Sequence, residues 1–185
     1  MVDAVFMRAI MADLQAQLPI DPKCIYAVGM LNGGILAQRL GWQAADLFAA
    51  IAPVAGTLNF SLCQPSRPIV LIEFHGTADQ HISYDGGYGP KSLVNVDFAS
   101  GSASIGYWVA ADKCNSQPQT NTIAGIRHAT WPGCTGSTSV ELNTVIDAGL
   151  AWPVGVGGLA DADQPTMAIS ASQWIWEFFA ARPKP

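Results

Sequence analysis

The chain has 185 residues, 50% hydrophobic and only 12% charged, enough to bury one sizeable core, and its length predicts one domain over residues 1–185. Nine Lys and Arg against 14 Asp and Glu leave a net charge of -5 with no basic run to track a phosphate backbone, so nucleic acid is excluded as a partner. No stretch reaches the roughly 18 apolar residues of a membrane span, and "MVDAVFMRAIMADLQ" lacks the regions of a signal peptide, so neither a membrane contact nor an address is expected from the chain itself.

In chain order, Val5, Phe6, Ile10, Met11, Leu14 and Leu18 recur at helical spacing and predict a helix over 2–18, which "PIDP" ends. A short β-prone run at 23–29 follows, and "GGILAQRLGWQAADLF" (33–48) is again helical. "AAIAPVAG" (49–56) reads as a buried strand, and "RPIVLIEFHG" (67–76), rich in β-branched and aromatic residues, as a stronger one. The segment 92–114 contains a further helix, "SVELNTVID" (139–147) alternates as a strand, 147–160 is a Gly-rich loop, and 169–185 closes with an amphipathic helix. Strands alternating with helices predict an α/β fold with a mainly parallel sheet. Cys24, Cys63, Cys114 and Cys134 lack C-x-x-C spacing, which argues against zinc and leaves room for one or two disulfides and an exported origin.

Three segments stand in a telling order: "VGMLNGG" (28–34), "HGTADQHISYDGG" (75–87) and "DAGLAWPVG" (147–155). Each follows a strand, so all three face one sheet edge. The first has the spacing of a nucleophile elbow, Gly-x-Ser-x-Gly, with Leu31 where the hydroxyl should stand. Alone it reads as an ordinary strand-to-helix turn, and Asp79 alone reads as a turn cap. Together, position 31, Asp79 and position 150 reproduce the nucleophile, acid, histidine order of an α/β-hydrolase. An elbow residue sits at positive φ, which costs a side chain with a Cβ on the order of 1 kcal/mol, so stability alone would favour glycine over Leu31. His75 reads as structural and His81 as a rim residue. A competing reading takes His75, Asp79 and His81 as an H-x-x-x-D-x-H ligand set for a divalent metal.

The three segments, with the closing "IWEFF", resemble the secreted esterase family of poly(3-hydroxybutyrate) depolymerases and feruloyl esterases, α/β-hydrolases grouped with the first carbohydrate esterase family. That family carries approximately G-M-S-N-G-G at the elbow, H-G-T-A-D with a following Y-D-G-G at the acid loop, and G-H-x-W-P-G at the histidine loop. Here these read "GMLNGG", "HGTAD" with "YDGG", and "GLAWPVG". The resemblance runs almost end to end. It implies Asp79 as triad acid, Leu31 and Leu150 at the serine and histidine positions, the backbone N–H of Asn32 as an oxyanion donor, no cofactor, a small or polymeric ester as ligand, and a secreted or periplasmic setting.

Cys114 and Cys134 bracket a stretch that reads as a polar loop, and the resemblance implies a disulfide between them, along with several further strands ahead of the first helix, one of whose loops would supply the second oxyanion donor. Without those strands the run at 23–29 becomes an exposed apolar edge, and the chain is expected to pair through it as a two-fold dimer. Two functions remain open: an ester-hydrolase scaffold silenced at two positions, and a non-catalytic binding protein with an apolar cleft between Leu31 and Leu150.

Overall fold

The computed structural model describes residues 2–59, 64–155 and 163–184. Four helices, α1 (Val2–Gln17), α2 (Asn32–Gln43), α3 (Gly101–Ala111) and α4 (Ala171–Ala180), and six strands, β1 (Tyr26–Met30), β2 (Ala50–Val54), β3 (Val70–Gly76), β4 (Gln119–Ile123), β5 (Ile126–Trp131) and β6 (Val140–Val145), make up its regular structure. The strands form one sheet in the order β1-β2-β3-β6-β5-β4. The four from β1 to β6 in that order run parallel, while β5 is antiparallel to β6 and β4 to β5. This is the expected α/β architecture.

Strand periodicity sorts side chains onto two helical layers. Ile51, Leu71, Val140 and Leu142 point into a core shared with Ala37 and Leu40 of α2 and Ile105 and Trp108 of α3. Their alternate neighbours, Ala50, Ala52, Ile72, Phe74 and Val145, meet Ile175, Phe178 and Phe179 of α4 on the other side. Both faces are therefore covered, and β2, β3 and β6 are buried at every position. For β6 this corrects the half-exposed strand implied by alternation: its polar residues Glu141 and Asn143 are buried too.

Three other expectations shift. The first helix docks through Ala4, Met7 and Met11 rather than through Val5 and Phe6, which are exposed. The bidentate Arg8 guanidinium fastens α1 to Asp46 and to the Gln43 carbonyl. The second helix stops at Gln43, and residues 44–48 form a turn in which the N–H groups of Leu47 and Phe48 donate to the Ala44 carbonyl. Lastly, the polar stretch between Cys114 and Cys134 is not a loop. It folds as the β4–β5 hairpin, whose tight turn places Ala124 and Gly125 at φ 51° and 79°, the left-handed pair that suits the twist of a two-residue hairpin. The Cys114–Cys134 disulfide closes its base. Cys24 is a free, exposed thiol, and Cys63 lies outside the described residues, as does part of the loop assigned to 147–160. Among the described residues no helix is long and apolar enough to cross a membrane.

Candidate active site

The C-terminal ends of the parallel strands open on one edge of the sheet, where ligands of open α/β sheets bind. Met30 ends β1 and Leu31 follows it at φ 54°, ψ -122°, a backbone conformation that leucine rarely adopts. The Leu31 N–H donates to the Val54 carbonyl at 3.1 Å and its own carbonyl accepts from Ile35 at 2.9 Å, so the residue is clamped between strand and helix. Two close approaches fix the turn: a Cβ on Gly29 would lie 2.3 Å from the Gly33 carbonyl carbon, and one on Gly56 would lie 2.5 Å from the Gly34 carbonyl carbon. The motif thus folds as a sharp strand-to-helix turn with Leu31 at its apex. Asn32 opens α2, and its N–H is one of the first-turn donors without an intrahelical carbonyl, in the positive field of the helix end.

Asp79 sits on the loop after β3 and is 5% exposed. Its Oδ1 accepts from the N–H groups of His81 (2.8 Å) and Ile82 (3.1 Å), while Oδ2 is buried with no hydrogen-bond donor. Leu150, after β6, is 1% exposed, and its N–H donates to Asp163 Oδ2 at 2.8 Å. The β3 and β6 loops are packed together, since Ala78 N–H donates to the Ala148 carbonyl at 2.8 Å and a Cβ on Gly76 would stand 2.2 Å from that same oxygen. The cavity at this edge is narrow, with room for about one water. Its walls include Val54, Phe74, His75, Gly149 and Pro153 but neither leucine.

Beneath Asp79 lies a polar chain that sequence reasoning missed. Trp108 Nε1 donates to Gln38 Oε1, and Gln38 Nε2 donates to Glu73 Oε2 at 3.2 Å and to the Gly56 carbonyl at 3.0 Å. Glu73 Oε1 lies 3.6 Å from His75 Nδ1, and His75 Nε2 lies 3.6 Å from Asp79 Oδ2 while donating to the Ile82 carbonyl at 2.8 Å. Glu73, Gln38 and His75 are all within 1% of full burial. Burial pushes the Glu73 carboxyl up. Burial alone would push His75 down, but contact with Asp79 and Glu73 outweighs it and raises the imidazole to about 9. The signal was present in "VLIEFHG", where two titratable residues interrupt a fully buried strand.

His75, Asp79 and His81 do lie together: the His81 N–H donates to Asp79 Oδ1, and His81 Nδ1 stands 4.0 Å from that same oxygen. Among the described residues no group of three or more His, Cys, Asp or Glu is gathered to hold a metal.

No family model matches the chain. It is similar to feruloyl esterase B of Piromyces equi, 31% identical over 157 residues that make up 80% of this chain and 29% of that protein. It is also similar to poly(3-hydroxyalkanoate) depolymerase C of Paucimonas lemoignei, 23% identical over 96% of this chain and 48% of that protein. A probable feruloyl esterase C of Aspergillus niger is 25% identical over 97% of this chain and 58% of its own length. The chain thus spans between 29% and 58% of the length of these relatives.

Proposed function

Because the chain is a relative of feruloyl esterases and poly(3-hydroxyalkanoate) depolymerases, we propose that it is a carboxylic-ester hydrolase scaffold silenced at two of its three catalytic positions. The observation that carries this reading is Leu31, an apolar side chain held at φ 54° in an elbow whose backbone is otherwise that of a nucleophile turn. The relatives' names support an ester as ligand, of a feruloyl type or a polyester.

In the working form of such a site, a serine at position 31 would attack the ester carbonyl. A histidine at position 150 would take the serine proton and pass it to the leaving alcohol, and Asp79 Oδ2 would accept the imidazole N–H to fix its tautomer. The Asn32 N–H would donate to the oxyanion. With leucine at both positions, nothing attacks and nothing carries the proton. Asp79 keeps its geometry without a partner from position 150. The disulfide supports an oxidising, extracellular or periplasmic setting.

Short-chain nitrophenyl esters and a fluorophosphonate probe test the proposal. The chain as written is expected to show neither turnover nor a covalent adduct, and Leu31→Ser or Leu150→His alone to stay near background, because triad members act as a unit. The double variant is expected to hydrolyse ester and to take the probe at position 31. A burst of acyl-enzyme in the chain as written would overturn the reading, as would turnover abolished by chelation, which would favour the metal set instead.

A further inference from the structure

The polar chain under the acid loop has a direction. Trp108 donates to Gln38, Gln38 donates to Glu73, and the His75 Nε2–H donates to the Ile82 carbonyl, an atom that can only accept. With its proton committed at Nε2, a neutral His75 would turn the bare lone pair of Nδ1 toward Oε1 of an ionised Glu73, an acceptor facing an acceptor at 3.6 Å between two buried side chains. Glu73 Oε1, His75 Nδ1 and Asp79 Oδ2 are all buried without a hydrogen-bond partner. A second proton on His75 turns a donor toward Glu73 Oε1 and places a cation between two carboxylates, with Asp79 Oδ2 facing it at 3.6 Å from Nε2.

We propose that His75 is a positioning residue for the ester-hydrolase site: an imidazolium held between Glu73 and Asp79 that orients the Asp79 carboxylate from below and shares its charge with whatever stands at position 150. The assignment of Asp79 as the acid rests on the reading above, whereas the charge state of His75 does not. The groups packed on the ring from other elements are few. Tyr84 meets it edge-on at 5.4 Å between centroids, with its hydroxyl on Thr144 Oγ1 of β6, and the first turn of α3 approaches at Gly101. The helix end would disfavour a cation, so the two carboxylates must outweigh it. The raised imidazole agrees with that balance.

In a chain with an imidazole at position 150, Asp79 Oδ2 would stand between two rings. The His75 cation would draw on the same carboxylate and repel the charge developing on the second ring. A like charge so placed holds that second ring's pKa down and keeps it available as a base near neutral pH.

Nitrogen-15 NMR of the unmodified protein tests the first half. His75 is expected to show two ring N–H signals through neutral pH, with deprotonation displaced well above 6.5, and Asp79→Asn to move that titration down. A single-protonated ring at pH 7, with the proton on Glu73 instead, would overturn the proposal. The second half is read in Leu150→His, where the introduced ring is titrated with and without His75→Gln. Loss of His75 is expected to raise that ring's pKa by about 1 unit. An unchanged value would reduce His75 to a packing role, and this readout needs no hydrolytic activity. Should His75→Gln fail to fold, Glu73→Gln in the same background provides the comparison, with the titration of His75 itself expected to fall.

Discussion

A methyl group on Gly29 would stand 2.3 Å from the carbonyl carbon of Gly33, four residues on, whereas one on Gly33 would meet nothing within 4 Å. The two glycines of the elbow pattern are therefore not equivalent. The strand end must carry glycine because the first turn of α2 crosses directly over it. Gly29→Ala is expected to cost on the order of 2–4 kcal/mol, since only backbone is available to move, and Gly33→Ala less than about 1 kcal/mol. Urea midpoints of the two variants decide this, and equal effects would contradict the crossing.

The leucine at the apex gives a second comparison. At φ 54°, ψ -122° any side chain with a Cβ is strained, so Leu31→Gly is expected to be more stable than Leu31→Ala by about 1 kcal/mol or more. Using alanine as the reference removes the burial lost with the leucine side chain. If alanine proves the more stable, the elbow strain is absent.

The buried imidazole links stability to pH. His75 has its folded pKa raised from 6.5 to about 9, so the native state holds an extra proton between these values. Its contribution is fully present below 6.5 and is lost as pH rises through 9, by on the order of 1–3 kcal/mol. Denaturant midpoints are expected to fall across that window, and the fall is expected to vanish in His75→Gln. A parent protein whose stability is flat between these pH values would count against the buried cation.

Self-association is the fourth expectation. Among the described residues β1 is an outer strand of the sheet, paired on one side with β2, and Val28 on it is 46% exposed. Val5 and Phe6 of α1 are exposed as well. An open apolar edge favours pairing with a second copy. Light scattering on a size-exclusion column is expected to give a dimer that Val28→Lys disrupts. Ile25 and Ala27 are unsuitable positions for that charge, being 6% and 7% exposed and part of the core. A monomer persisting at high micromolar concentration would refute the edge argument.

The order of helices and strands, the parallel sheet, the elbow spacing and the edge shared by Leu31, Asp79 and Leu150 could all be read from the sequence, because periodicity, glycine placement and strand-loop order are local properties. The hairpin escaped because "QTNTI" is polar and exposed at every position of β4, so no burial alternation marks it; its pairing with β5 comes from backbone hydrogen bonds rather than side-chain pattern. The docking face of α1 turned from Phe6 toward Met7 and Met11 because packing against α2 and the Arg8 bonds to Asp46 and the Gln43 carbonyl set the orientation, which hydrophobic spacing alone left ambiguous. Only the tertiary structure joined Trp108, Gln38, Glu73, His75 and Asp79. These residues come from two helices, one strand and one loop, and whether a buried acid and a buried histidine carry charge depends on which of their atoms face each other.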